Sequence, residues 1–152
     1  MKEIGVGILG FGTVGAGVAE GLLRNRKVMA ERLGVDIVLR KIADLDITTD
    51  RGVAVDSDVL TTDAQGVIAD PSVQIVVETI GGTGIAKTFV LAALNAGKAV
   101  VTANKKLLAE YGKEIFDTAA KNKVDIYFGA SVGSSQTTIP LSIRRTRRLS
   151  TA

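Results

Sequence analysis

Gly10-Phe11-Gly12-Thr13-Val14-Gly15 reads G-x-G-x-x-G, directly after the apolar run Ile4 to Leu9 and directly before a helical pattern. Each glycine has a separate task in such a turn. Gly10 permits the tight bend, Gly12 lets a pyrophosphate approach the backbone, and Gly15 lets helix and strand pack closely. A helix starting at Thr13 also offers unpaired N–H groups and a positive dipole end to the anion. Gly10 through Gly15 are therefore expected to hold a dinucleotide; glycines that merely pack a helix are the plainer alternative. The ribose-reading residue belongs at the end of the second strand, where Asp44 stands, although it lies farther from Gly15 than the usual ~20 residues. A long first helix would account for that. A carboxylate favours the free 2′-hydroxyl of NAD, whereas Arg40 or Lys41 on the same strand would serve the 2′-phosphate of NADP if either faced the site. The sequence leaves NAD or NADP undecided, and Asp44 as an ordinary strand-end acid also stays open.

Composition narrows what else can react. The 152 residues contain no histidine and no cysteine. Disulfides, thiolate or imidazole metal sites and Ser-His or Cys-His pairs are excluded, so no metal site is expected and any general acid or base is Lys, Tyr, Asp or Glu. An apolar content of 46% in a chain of this length fits one globular domain. No apolar run reaches the roughly 18 residues of a membrane span. Met1-Lys2-Glu3 leads straight into a strand-like run without a signal-peptide layout, so a cytoplasmic location and no membrane partner are expected. The net charge of +3 is localised: Met1 to Gly133 holds 15 basic and 16 acidic residues, and Arg144, Arg145, Arg147 and Arg148 supply the rest. An Arg-rich end beside a neutral body reads as a solvated terminus, and no nucleic-acid partner is expected.

The elements that must position these residues alternate. After the strand Ile4 to Leu9, Val14, Val18 and Leu22 share a helical face, and this helix, extended past Met29, ends by Gly34. Asp36 to Ala43 is a strand, and an irregular excursion follows to Leu60. A short helix closes at Asp70-Pro71, then Val73 to Glu78 is a β-branched strand ending near Gly81-Gly82. Ile85 to Asn95 is helical, with Phe89, Ala93 and Leu94 inward and Gly97 as its stop. Ala99 to Thr102 is a strand, and Lys106 to Asn122 is helical with Leu108, Tyr111, Ile115 and Ala119 on one face. Val124 to Val132 begins with a last strand. This alternation predicts an α/β fold: a doubly wound, mostly parallel sheet of Rossmann type in three layers, α/β/α.

Five segments, "GVGILGFGTVGAGV", "RKIADLD", "VVETIGGTGIAK", "AGKAVVTANKKLLAEYG" and "DIYFGASVG", together resemble the N-terminal domain of bacterial homoserine dehydrogenases from about Ile4 to Gly133. The resemblance implies NADPH- or NADH-dependent reduction of aspartate 4-semialdehyde to homoserine, on the route to threonine, methionine and isoleucine. It makes Lys105 of "TANK" the catalytic residue, in contact with the cofactor as well. Physical reasoning agrees: at a helix start the positive dipole end, Lys106 and an oxidised nicotinamide all disfavour a charged lysine, which suits one that must exchange a proton. A solvated first-turn lysine is the simpler reading. The resemblance also implies that Ile80 and Gly81 touch the cofactor through backbone groups. Glu78 either closes its strand or turns toward the cofactor, and Thr79 replaces a more usual aliphatic residue without evident consequence.

Larger departures follow. Gly129 stands where the family has an acidic residue, which removes a side chain from a turn that helps to hold a monovalent cation. After Gly133 the resemblance ends. Residues 1–133 are expected to form the dinucleotide-binding domain and 134–152 an atypical, poorly ordered basic tail, with the family's substrate and dimerisation domain absent and the isolated chain inactive. Uncovered apolar surface would then favour a weak homodimer. The alternative function is a standalone dinucleotide-binding regulatory or sensor module, which would have no use for a proton-transferring lysine at Lys105.

Overall fold

The computed structural model describes residues 1–129, so the "ASVG" turn beyond Gly129 and the basic tail from 134 to 152 lie outside the described residues. In chain order the elements are β1 (Lys2–Leu9), α1 (Thr13–Arg24), α2 (Arg26–Leu33), β2 (Val35–Ala43), a 3-10 turn (Ser57–Val59), β3 (Leu60–Thr61), α3 (Ala64–Ala69), β4 (Ile75–Glu78), α4 (Gly84–Asn95), β5 (Ala99–Thr102), α5 (Lys105–Lys121) and β6 (Ile126–Phe128). The six strands form one sheet in the order β3-β2-β1-β4-β5-β6, and every neighbouring pair is parallel. From β1 the chain winds outward to β2 and β3, then crosses back to β4 and winds the other way to β5 and β6. A constant right-handed crossover therefore puts the connecting helices of the two halves on opposite faces.

That division is visible in the core. On one face Val6, Ile8, Ile37, Ile42, Val77 and Val101 pack against Ala16, Val18, Ala19 and Leu22 of α1 and Leu33 of α2. On the other, Leu9, Ala43, Val76 and Val100 meet α3, α4 and α5 through Val67, Ile68, Val90, Leu94, Leu107 and Ile115. Full burial of each such Val, Leu or Ile side chain is worth about 1.5–3 kcal/mol before chain entropy is set against it. Alternation of side chains along a strand lets "IVVE" serve both layers, Val76 to one and Val77 to the other.

The sequence-based elements stand, with local corrections. The single helix expected from Thr13 to Gly34 is two helices, broken at Asn25, whose side-chain amide donates to the Gly21 carbonyl at 3.0 Å. Asparagine competes for helical backbone partners in this way. Gly34 then ends α2 in the left-handed conformation at φ 72°. Val14 does not share the buried face of α1; it is 48% exposed, because Gly15, Ala16, Val18, Ala19 and Leu22 occupy the sheet side. Similarly, Ala86 and Val90 are buried on α4 and Leu107 on α5, while Phe89, Leu108 and Tyr111 are half-buried at the margins.

At the edge where the strands begin, Lys98 is buried and its ammonium donates to the carbonyls of Asp70, at 2.6 Å, and Val73. Burial pulls its pKa below the usual lysine value. Among the described residues, no helix is long and apolar enough to cross a membrane.

Candidate cofactor site

The register places five residues in one row across the sheet: Ala43, Leu9, Glu78, Thr102 and Phe128 are successive partners on β2, β1, β4, β5 and β6. Each is the last residue of its strand. The sequence-predicted site residues all follow just after members of this row. Asp44 stands beyond β2, Gly10 to Gly15 beyond β1, Ile80 and Gly81 beyond β4, and Lys105 beyond β5. At about 4.8 Å per strand the run from β2 to β5 spans about 14 Å. The order of connection reverses between β1 and β4, which is where an open α/β sheet leaves its crevice.

The three motif glycines differ in their surroundings. Gly10 has φ +103°, and its N–H donates to the Ala43 carbonyl at 2.7 Å, joining the turn to β2. A Cβ on Gly15 would lie 2.0 Å from the Gly10 carbonyl oxygen, so α1 starts in backbone contact with the turn. A Cβ on Gly12 would meet nothing within 4 Å. Gly12 is the N-cap of α1 and has no side chain with which to cap the first-turn N–H groups of Thr13, Val14 and Gly15; no acidic residue occupies that turn. The result is open space above an uncapped positive helix end, which fits a pyrophosphate.

Phe11 acts differently from its neighbours. Its side chain is buried in the core and its N–H donates to Asp44 Oδ2 at 2.6 Å. Asp44 Oδ1 accepts from the Asp46 N–H at 2.9 Å. The half-buried Asp44 carboxylate is thereby fixed beside the glycine turn, where the ribose position was expected. Beyond it, Asp46 accepts from the amides and hydroxyls of Thr48 and Thr49, and the Thr49 hydroxyl above all holds its carboxyl far below the usual carboxylate range.

Thr79, for which the sequence offered no consequence, ties the crevice together. Its hydroxyl lies 3.0 Å from both the Leu9 and the Gly10 carbonyl oxygens, and its N–H donates to the Leu9 carbonyl at 2.9 Å. Glu78 is 1% exposed, and its side chain turns inward rather than toward the crevice. Its Oε2 accepts from the N–H groups of Ile80 (2.8 Å) and Gly81 (3.2 Å), and its Oε1 accepts from the Thr102 hydroxyl at 2.6 Å. Thr102 Oγ1 in turn accepts from the Asn104 N–H at 3.1 Å. Asn104 Nδ2 donates to the Gly82 carbonyl at 2.6 Å, while its Oδ1 caps α5 by accepting from Leu107 N–H at 3.0 Å. A chain of hydrogen bonds thus runs from the Ile80–Gly82 turn to the start of α5, where Lys105 is the first helical residue and exposed. Only the polar character of Glu78, Thr102 and Asn104 at strand and helix ends hinted at it. Beside β5, Gly129 is buried and its N–H donates to the Thr102 carbonyl at 2.8 Å.

The sequence matches the family described as homoserine dehydrogenase, NAD binding domain, over residues 10–129. It is 46% identical over 132 residues to the homoserine dehydrogenase of Neisseria gonorrhoeae, covering 87% of this chain and 30% of that enzyme. The fold superimposes on the crystal structure of Staphylococcus aureus homoserine dehydrogenase at pH 8.5 with a TM-score of 0.80 and 37% identity, over 86% of this chain and 33% of that one. A hyperthermophilic archaeal homoserine dehydrogenase in complex with NADPH is similar at a TM-score of 0.62 and 25% identity, over 85% of this chain and 44% of that one. The chain spans about 30% of the length of such curated relatives. With its glycine turn, switch-point crevice and strand-end row, the chain belongs to the homoserine dehydrogenase family, of which it carries the NAD-binding domain.

Proposed function

We propose that residues 1–133 serve as the cofactor-holding part of a cytoplasmic homoserine dehydrogenase, the enzyme that reduces aspartate 4-semialdehyde to homoserine. The observation that carries this reading is the space at Gly12: a Cβ there would meet no atom within 4 Å, above a helix end without a side-chain cap. When bound, the nicotinamide cofactor supplies the hydride that reduces the aldehyde carbon. Thr13, Val14 and Gly15 hold the pyrophosphate through their N–H groups and the dipole of α1. Asp44 orients the ribose. Phe11 and Thr79 fix Asp44 and the turn in place. Ile80 and Gly81, anchored on Glu78, form the wall on the β4 side.

Lys105 works at the substrate oxygen, where its ammonium polarises the carbonyl and delivers a proton to the developing alkoxide. Its place at the head of α5 is set by Asn104, which binds the Gly82 carbonyl and caps the helix. Lys105 is thereby held to the same turn that follows β4.

The test is a chimera in which residues 1–129 replace the matching N-terminal segment of the Bacillus subtilis homoserine dehydrogenase, 42% identical to this chain. Turnover of aspartate 4-semialdehyde is expected, with Lys105→Ala lowering kcat by about 10²–10⁴. Saturable binding of reduced cofactor without turnover in a correctly folded chimera would favour a regulatory binding module instead. Turnover indifferent to Lys105→Ala would remove that lysine from the chemistry.

A further inference from the structure

Building on this proposed function, we infer that the site discriminates in favour of NAD(H) over NADP(H), with Asp44 as the specificity-determining residue. The sequence left the choice between Asp44 and the two cations of β2, Arg40 and Lys41. Their partners decide it. The Arg40 guanidinium is paired with Glu3 at 2.6 Å, and Lys41 Nζ donates to the Asp58 carbonyl at 2.6 Å. Glu3 lies near the beginning of β1 and Asp58 just before β3, so both cations are engaged below the strand ends rather than above them. Asp44 sits above them, and two hydrogen bonds from Phe11 and Asp46 leave lone pairs on both oxygens free for a hydroxyl donor.

The neighbours of Asp44 reinforce its sign. Leu45 is 94% exposed and uncharged, and Asp46 adds a second carboxylate gathered in by Thr48 and Thr49. The cation of this loop, Arg51, is paired with Asp46 at 3.3 Å. A 2′-phosphate would therefore approach two carboxylates, the farther of which is paired with Arg51. A 2′-hydroxyl instead finds an oriented acceptor. Asp44 repels the phosphate and accepts from the hydroxyl, so one residue supplies both halves of the discrimination.

Calorimetric titration of the full chain with NADH and with NADPH at about 0.1 M salt tests this. NADH is expected to bind at least about tenfold more tightly, the effect of one like-charge contact near a protein surface. The double substitution Asp44→Ser with Leu45→Arg should invert the order, and Asp44→Asn, which keeps an acceptor for Phe11, should narrow the gap. Equal affinities, or tighter NADPH, in the unsubstituted chain overturn the inference. NADPH binding that is lost on Arg51→Ala overturns it too, because Arg51 would then be reading the phosphate. Binding of neither cofactor by a folded chain refutes the cofactor-holding function itself, and the inference with it.

Discussion

The same substitution, glycine to alanine, should have opposite consequences at Gly12 and Gly15, although they stand three residues apart. At Gly15 the new methyl would sit 2.0 Å from the Gly10 carbonyl oxygen and 2.8 Å from Thr79 Oγ1. The turn cannot easily retreat: Gly10 is held at its N–H by Ala43 and at its carbonyl by the Thr79 hydroxyl. Overpacking of this kind costs about 1–3 kcal/mol. At about 2–4 °C per kcal/mol for a domain of this size, the melting temperature should fall by roughly 2–12 °C. At Gly12 the backbone has φ −79° and ψ −158°, open to any residue, and the methyl meets no protein atom. A loss of about 0.5–1 kcal/mol from a poorer N-cap residue is offset by a similar gain from a less flexible unfolded chain. Stability should stay within about 0.5 kcal/mol, while the methyl occupies the space assigned to the pyrophosphate. Thermal melts with and without NADH separate the two. At a hundredfold excess over Kd the unsubstituted chain should gain about 2.7 kcal/mol. Gly12→Ala should melt like the unsubstituted chain without cofactor and gain little with it, whereas Gly15→Ala should melt early. A full cofactor-induced gain in Gly12→Ala would refute the cradle, and an unshifted melt of Gly15→Ala would refute the packing argument.

Two further perturbations probe the frame around the site. Glu78→Ala leaves the Ile80 and Gly81 amides and the Thr102 hydroxyl without their acceptor, and at about 1–3 kcal/mol per buried unpaired donor, reduced where water reaches Gly81, the loss should be about 2–4 kcal/mol. A urea-midpoint shift equivalent to less than about 1 kcal/mol would show that the network is not structural. The carboxyl of Asp70 is held below its usual range by the Ser72 hydroxyl and then the Ser72 amide, so its contribution is present above the unfolded value near pH 4 and lost as pH falls through the folded value. Asp70→Asn should therefore flatten the decline in stability below about pH 4, and an unchanged slope in urea titrations would contradict the assignment.

What was legible in the sequence was local. A βα turn built on glycines carries its constraints within six residues, so the tight turn at Gly10 and the close packing at Gly15 are legible in the sequence. Ala99 to Thr102 was bounded correctly because a short β-branched run lies between two turn signals. The i, i+4 spacing that groups Val14 with Val18 and Leu22 cannot say where a helical face is centred; small residues at 15, 16 and 19 take the sheet instead. The break at Asn25 leaves no mark in the apolar pattern because it acts through a side-chain bond to Gly21. Thr79 and Glu78 were opaque for a different reason: Thr79 works on carbonyls 69 and 70 residues away, and Glu78 on a hydroxyl 24 residues away. The close approach at Gly5, where a Cβ would lie 1.8 Å from the Ser72 carbonyl oxygen, was equally invisible.

The two lysines before and after β5 show why geometry must precede titration in assigning roles. Lys98 is the lysine whose pKa burial lowers, and a perturbed group is ordinarily a candidate for function. It stands before β5, however, at the edge where the strands begin, with its ammonium on the carbonyls of Asp70 and Val73. Its perturbation follows from closing a turn under the sheet. Lys105 stands after β5, exposed, at the edge where all the site residues gather. It heads the helix that Asn104 caps, and Asn104 is bonded to the turn following β4. A rearrangement of the Ile80–Gly82 turn would therefore move the start of α5, and Lys105 with it. In the role proposed for Lys105, substitutions at Glu78 or Asn104 should lower turnover of the chimera without touching substrate, while substitutions at Lys98 should alter stability alone.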